Sequence, residues 1–589
     1  MVLAAMPSVA AHAEVVPGKD GIENQSAEYH ALVPKTVVAL QQFRETQTSK
    51  IRSPQGREGS VSLTNLNPSV NSWYLLQVSW SGGAQGTTYH LENPDPSSRR
   101  LMMDEAFPSS LIIMEGNSRY PCGLNLTSAQ NSLDQARASQ STFAPLCGGK
   151  VMLRNPAKGH RTSLEAVTDF LRDEVWGGEK VIVFVRNNVT SDSYRETATF
   201  STSVAHAAEL PAESEADGAP LPALIDPHHG DRLVAPVNVG IPLDKNVGKD
   251  IRFGTWYPAR GNPGVYFSMI QPNVIAPEVM QSHRNLVNAL DSVEATSLCY
   301  LVAFDLDQFQ LGYALGTEHP RVGWSPRTPD QMKTRTMTGP DGIGSVVPLV
   351  TTGLVSPGDA RRTVATFTAG FKRQHGAFKH GEFAHKNRGS YYGFIENGVV
   401  FSKLQPGLAT LFALEDGYVQ MKTWTEADNG QLARIKCARQ NGVPLVDYDA
   451  LTGRVLPGSL VTQWGPGNWS GSADEKLRTL RAGAALQETR NKRFLIYALF
   501  SDATPSAMVR VFQAYLCRYG MLLDMNALEH TYMALYRNEG SKRVVDHLLK
   551  GMSQFEKSGP EGLVPRFLGY PDNRDFFYLV RNETQGVRP

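Results

Sequence analysis

At 589 residues the chain is too long for one ordinary hydrophobic core, so two or three domains are expected. Hydrophobic residues at 41% and charged residues at 20% describe a soluble globular protein. With 58 basic against 57 acidic side chains the net charge is +1, so the overall electrostatics favour neither nucleic acid nor an anionic membrane surface. No apolar run reaches the roughly 18 to 20 residues that a membrane helix needs.

The chain opens on an apolar, small-residue run, Val2 to Ala10, and Ala11-His12-Ala13 has the A-x-A form of a signal-peptidase site before Glu14. A charged leading region is missing. Residues 1–13 read as an export signal whose start is clipped or placed too late, with an Ala-rich disordered end as the alternative; export would make the protein periplasmic or secreted. The five cysteines contain no CxxC pair. Cys122 and Cys147 bracket a polar segment that an exported protein could close as a disulfide. Cys299, Cys437 and Cys517 lie in apolar surroundings and read as buried small hydrophobes.

Residues 14–204 are expected to form a β-rich N-terminal domain whose role the sequence does not disclose. It opens on polar sequence in which Tyr29 to Phe43 could form one amphipathic helix. From Trp73 a strand, a Gly-rich turn and a returning strand follow, then short strands at Leu111 to Met114 and Lys150 to Arg154, a helix from Ser163 to Asp173, and a buried strand from Lys180 to Arg186. Residues 205–235, rich in Ala, Pro and acidic side chains, read as a linker. His228 and His229 within it lack converging partners for a metal. The remaining domain, 236–589, begins with strand-rich sequence, and Leu301 to Leu306 with Phe309 to Leu315 suggest a hairpin.

The stretch from Phe494 to Tyr536 organises this second domain. Phe494 to Phe500 has the length and the aromatic and β-branched content of a buried strand. A helix follows, with Thr504 as N-cap, Pro505 where a missing N–H costs nothing, and Gly520 as a left-handed C-cap. A second apolar run, Met521 to Leu523, ends on Asp524. Strand, helix and strand so close together suggest a crossover unit and an α/β class with a mixed sheet. Asp524 would then lie at the carboxyl end of a central strand, where open α/β sheets place their sites. Asn526, Glu529 and His530 crowd further polar chemistry into the next turn.

From Leu301 onward the order of small motifs resembles the phosphodiester glycosidase family, whose known chemistry is removal of N-acetylglucosamine from phosphodiester-linked mannose. Thr366 to Phe371 (TFTAGF) is similar to the family's Asn-Gly-Gly-Phe turn, and Tyr391 to Trp424 to its succession of strands and Asp-Gly turns. Ala438 to Val446 (ARQNGVPLV) is similar to its Gln-Asn-x-x-x-Leu-Val stretch, and Leu477 to Leu486 to its Arg-Thr-x-x-Gly strand. Met521 to Tyr536 occupies the place of its Leu-Asp-Gly-Gly-Gly-Ser signature. The resemblance covers about half of the chain and implies a phosphodiester-glycosidase-like domain acting on a glycan or sugar-phosphate substrate. Where the family has glycines after its aspartate, this chain has Met525-Asn526-Ala527-Leu528. Glycines in such a turn let backbone N–H groups approach a phosphate, so a catalytically inactive scaffold that binds an envelope glycan or protein is the alternative expectation.

Hydrolysis of a sugar 1-phosphodiester needs an acid for the leaving group, a carboxylate that stabilises oxocarbenium charge or activates water, and groups that hold phosphate. Asp524 is the expected carboxylate, set against a turn-capping Asp; Glu529 and His530 are an acid/base pair, or two solvated residues opening a helix. Arg481 and Arg478 are candidate phosphate forks, Arg478 also fitting a structural salt bridge. Gln440, Asn441, Thr368, Gly370 and Asn526 are candidate substrate contacts. Phe371 to Tyr392 carries His375, His380 and His385 among lysines and aromatics, but the spacing around Glu382 fits neither H-E-x-x-H nor a zinc finger. No metal, cofactor or nucleic acid is expected.

Overall fold

The computed structural model describes residues 41–167, 218–320, 349–371, 392–462 and 477–582, apart from short gaps at 83–85, 105, 108–109, 129–130, 164, 231, 245–249, 450, 541 and 561, together with Val38 and Phe383. The expected export signal, most of the Tyr29 to Phe43 helix, the Lys180 to Arg186 strand and the histidine-bearing segment after Phe371 lie outside these residues. Among those described, no helix is long and apolar enough to cross a membrane.

The N-terminal module is an antiparallel six-stranded sheet, ordered Glu45–Arg52, Glu58–Asn65, Trp73–Trp80, Thr87–Glu92, Val151–Arg154 and Phe143–Leu146. A three-stranded sheet (Arg99–Met103, Ser110–Glu115, Ser118–Gly123) and the helix Ser132–Ala138 complete it. Alternation of inward and outward side chains along these strands builds a separate apolar cluster that includes Val61, Leu63, Leu76, Leu91 and Leu133. The Cys122–Cys147 disulfide joins the small sheet to the turn after Phe143–Leu146, with Cα atoms 5.6 Å apart. Cys299, Cys437 and Cys517 are free and buried.

The C-terminal part is built on an eight-stranded sheet, whose central members run Cys299–Asp305, Arg493–Ala503, Thr479–Glu488, Tyr519–Met525 and Val446–Asp449. A five-stranded sheet (Phe309–Ala314, Phe576–Arg581, Thr363–Thr368, Met533–Glu539, Lys542–His547) packs against it, Phe367 meeting Tyr497 with ring centroids 5.2 Å apart. A second five-stranded sheet, from Val399–Ser402 through Ile435–Gln440 to Val419–Thr423, completes the body. Every ladder between described strands is antiparallel.

This architecture corrects the α/β expectation: the protein is a mostly β structure with few helices. The strand, helix and strand of the organising stretch are all present as Arg493–Ala503, Pro505–Ala514 and Tyr519–Met525. The two strands are parallel to each other but not neighbours. Thr479–Glu488 lies between them and is antiparallel to both, so the helix is a lone crossover in an antiparallel sheet. Nine of its ten residues are buried, and Thr504 Oγ1 caps it by accepting from Ala507 N.

Three local expectations change with it. The left-handed residue after the helix is Leu516, at φ 54°, whereas Gly520 lies in a strand. A Cβ on Gly520 would meet Phe512 Cδ2 at 2.9 Å, so glycine is required there by close packing. Cys299–Asp305 and Phe309–Ala314 form no hairpin; they belong to different sheets. The corner between them is pinned by buried Asp305, which accepts from Lys492 Nζ at 2.6 Å and Gln308 Nε2 at 2.9 Å. From Gly218 onward the expected linker is a docked strap: Leu221 N donates to Gln487 Oε1 (2.8 Å), Leu224 N to the Ala514 carbonyl (2.8 Å) and Asp226 N to the Val274 carbonyl (2.9 Å).

Candidate functional site

Asp524 occupies the last turn of the pleat in Tyr519–Met525 and is 7% exposed. The chain then reverses at Asn526, which adopts φ 82°. Asn is among the few non-glycine residues that tolerate this left-handed conformation, so the turn is made without a glycine. Ala527 closes it by accepting from His530 N and Thr531 N, both at 3.0 Å, and Met533–Glu539 begins directly afterwards. No helix opens here, so Glu529 and His530 are not the solvated start of one.

Asp524 Oδ2 accepts from Arg574 Nη1 at 2.7 Å, and the other arm of the same guanidinium donates to Glu165 Oε1 at 2.7 Å. Arg574 and Glu165 are 1% and 4% exposed. Arg566 lies alongside, in a double contact with Asp572 (2.8 and 3.1 Å) and donating to the Glu529 carbonyl (3.0 Å). The Glu529 carboxyl itself accepts from Thr162 Oγ1 at 2.7 Å. Three buried carboxyl groups thus contact two guanidiniums, and the Glu529 carboxyl feels both through space. Burial pushes the Glu529 carboxyl above its ordinary range, Arg566 and Arg574 oppose the rise, and Glu165 adds to it. Burial works against the charge on Arg574, but Glu165 and Asp524 outweigh it and hold the guanidinium above its usual value.

One residue along the backbone, Asp575 forms a second hub. It accepts from His319 Nδ1 (2.7 Å), Arg439 Nε (2.7 Å) and Tyr313 Oη (2.8 Å). Burial alone would raise this carboxyl; Arg439 and His319 hold it below the usual carboxylate range. Arg439 also donates to the Phe371 carbonyl at 2.9 Å. The two hubs fasten the ends of four strands into one rim.

Six of the residues singled out in the sequence meet at this rim. Thr368 Oγ1 donates to the His530 carbonyl at 2.5 Å. His530 Nδ1 lies 2.9 Å from the Met525 carbonyl; a carbonyl only accepts, so this nitrogen carries the hydrogen. Asn441 accepts from Phe371 N (3.1 Å) and donates to the Leu522 and Leu523 carbonyls (2.9 and 3.2 Å), tying the Gly370 turn to the strand that ends on Asp524. A Cβ on Gly370 would stand 2.9 Å from Asn441 Oδ1, so the turn and the amide interlock.

The others are elsewhere. Arg481 is the cross-strand partner of Met525 and contacts its Sδ at 3.3 Å, with the Ala503 and Leu477 carbonyls at 2.7 and 2.8 Å. Side chains alternate along a strand, so Asp524 faces the opposite side of the sheet. Arg478 pairs with Asp291 (3.0 Å) and Asp502 (3.7 Å), the salt-bridge reading of that residue. Asn526 is exposed and bonds to Thr479. Gln440 accepts from Gly393 N and Gln405 N and donates to the Gln405 carbonyl and Thr410 Oγ1, all within 2.9 Å. Its hydrogen-bonding capacity is spent on the fold, and Gln440→Leu is expected to cost about 2–4 kcal/mol by stranding those partners, read as a lowered denaturant midpoint.

Sequence reasoning missed Arg439, Arg566, Asp572, Arg574, Asp575, His319 and Glu165. Asp572-Asn573-Arg574-Asp575 stands directly before the apolar Phe576–Arg581 strand, a charged cluster at the start of its strand, as Asp524 is a charged residue at the end of its own. Arg439 lies in a strand that also carries Lys436 and Gln440, so its residue type does not stand out there, although it is fully buried. Glu165 has no such signal, since its partners are some 400 residues away in the chain.

No protein-family model and no curated protein sequence matches the chain. Among solved structures, it is similar to the zebrafish N-acetylglucosamine-1-phosphodiester alpha-N-acetylglucosaminidase catalytic domain, auto-inhibited by its pro-peptide: 9% identity, 55% of this chain and 85% of that one, TM-score 0.29. It is also similar to a Burkholderia pseudomallei protein described as exported: 10% identity, 48% of this chain and 74% of that one, TM-score 0.18. Likenesses of this degree fix neither fold nor activity, and the functional reading rests on the geometry.

Proposed function

We propose that the chain is a hydrolase of glycosidic linkages to anionic groups, sugar 1-phosphodiesters foremost. The observation that carries this reading is the pair of unlike carboxyls on one turn: Asp524, ion-paired by Arg574, and Glu529, held by Thr162 and pushed toward its protonated form by burial. Two titratable groups with environments that separate their protonation are the arrangement acid/base hydrolysis uses. Glu529 would protonate the leaving oxygen, and Asp524, paired with Arg574, would stabilise positive charge on the sugar or activate water. The hydrogen bond from His530 Nδ1 to the Met525 carbonyl fixes the orientation of the imidazole next to Glu529. The Cys122–Cys147 disulfide supports a periplasmic or secreted setting.

The test is the pH dependence of kcat/KM on a sugar 1-phosphodiester. An acid that must hold its proton gives a rate that falls as pH rises through its raised pKa. Wild type is expected to show that alkaline limb, and Glu529→Gln to lose both the limb and most of the rate. A limb unchanged in Glu529→Gln removes Glu529 from the role. The second reading, a catalytically inactive scaffold, is favoured by one observation: both arms of Arg574 already hold protein carboxylates, so Asp524 serves the fold as a counter-ion.

A further inference from the structure

A second buried charge cluster lies where the N-terminal module meets the C-terminal body. Glu92 ends one module strand, and Arg154 ends its neighbour. Glu396 ends a strand of the facing sheet. All three are at most 3% exposed. Arg154 Nε stands 3.1 Å from Glu92 Oε2, and Arg154 Nη2 stands 3.9 Å from Glu396 Oε1. The guanidinium lies over the Trp73 ring, 3.3 Å from its centroid. Ser356, from the C-terminal body, donates to Glu92, and Leu315 N donates to Glu396 Oε2 at 3.1 Å.

Among the described residues, no second cation is in ion-pair contact with Glu92 or Glu396. His90, the cross-strand partner of Arg154, is pushed down to about 3 by burial and then by Arg154, so it is neutral. Burial raises the Glu92 carboxyl, Asp359 (engaged by Arg362 and Tyr578) adds to the rise, and Arg154 and the Ser356 hydroxyl oppose it. Glu92 has the closer guanidinium, 3.1 Å against 3.9 Å for Glu396, so Glu396 is the carboxyl that takes the proton. Burial keeps the Cys437 thiol and the Tyr313 and Tyr578 phenols uncharged. Two carboxyls therefore face one guanidinium in a site without water-facing surface, and a second ionised carboxylate there would be uncompensated.

We propose that this contact is a proton-linked latch: the two parts of the protein close on each other with Glu92 ionised against Arg154 and Glu396 carrying a proton. Burial raises the Glu396 carboxyl to about 8 from its ordinary 4.5, Arg154 opposing and Glu92 adding to the rise. A carboxyl that binds its proton more tightly in the closed state favours closure at acid pH. The preference is full below about 4.5 and is lost as pH rises to about 8. Within that window closure weakens by about tenfold per pH unit.

The experiment is hydrogen exchange of the full chain between pH 5 and 8, corrected for intrinsic rates, read at the amides of Val151–Arg154 and Phe394–Glu396. Wild-type protection is expected to fall steadily across the range. Glu396→Gln mimics the protonated carboxyl without changing its shape, and its protection should be nearly flat and exceed wild type at pH 8. Glu92→Gln leaves Arg154 to Glu396 alone, so the fall should move to lower pH. Flat wild-type protection, a Glu396→Gln profile as steep as wild type, or a Glu92→Gln profile superimposable on wild type would each overturn the latch.

Discussion

Replacing Arg574 by methionine is expected to lower the stability of the folded chain by about 3–5 kcal/mol. The guanidinium is 1% exposed and stands 2.7 Å from each of two carboxylates, Asp524 and Glu165, that are themselves almost fully buried. Methionine keeps most of the stem, so little packing is lost. What remains is two uncompensated charges in a low-dielectric interior, and that desolvation penalty dominates. Arg566 cannot take over, because it already serves Asp572 and the Glu529 carbonyl. The cause can be separated from a packing defect. Adding Asp524→Asn and Glu165→Gln to Arg574→Met removes the stranded charges and is expected to restore most of the lost denaturant midpoint, whereas a packing defect would leave the triple variant as unstable as the single one.

The same ion-pair chain explains which parts of this molecule were legible in the sequence. Strands announced themselves where apolar runs were long, as in Phe494 to Phe500 and Met521 to Leu523, and Thr504-Pro505 announced a helix start that the structure keeps. Their order along the chain suggested a parallel crossover. The insertion of Thr479–Glu488 between them is a pairing of distant strands, which no local pattern encodes. Asp524 was visible because an acid ending an apolar strand needs a partner; the partner, Arg574, was not, being 50 residues further on. Arg481 and Gln440 have the right chemistry for a ligand, yet the fold uses Arg481 to tie two backbone carbonyls and Gln440 to bind four groups of its own. Residue type alone does not tell a binding group from a structural one when both need the same hydrogen bonds.

The central claim is that Asp524 is the carboxylate around which hydrolysis is organised. Asp524→Asn is expected to reduce kcat/KM on a sugar 1-phosphodiester by on the order of a thousandfold, the scale of a lost charged group in acid/base chemistry. Folding should survive the change. Asparagine has nearly the same shape and retains an oxygen for Met525 N and Arg574, while Glu165 continues to neutralise the other arm of the guanidinium. The loss should therefore appear in turnover, with the denaturant midpoint moved far less than in Arg574→Met. The measurement is sugar release from a panel of sugar 1-phosphodiesters by the wild-type protein and by Asp524→Asn at matched folded concentration. Release by the wild type and its near-abolition in the variant is the predicted result. Equal release by the two proteins, or none by the wild type from any member of the panel, would contradict the account.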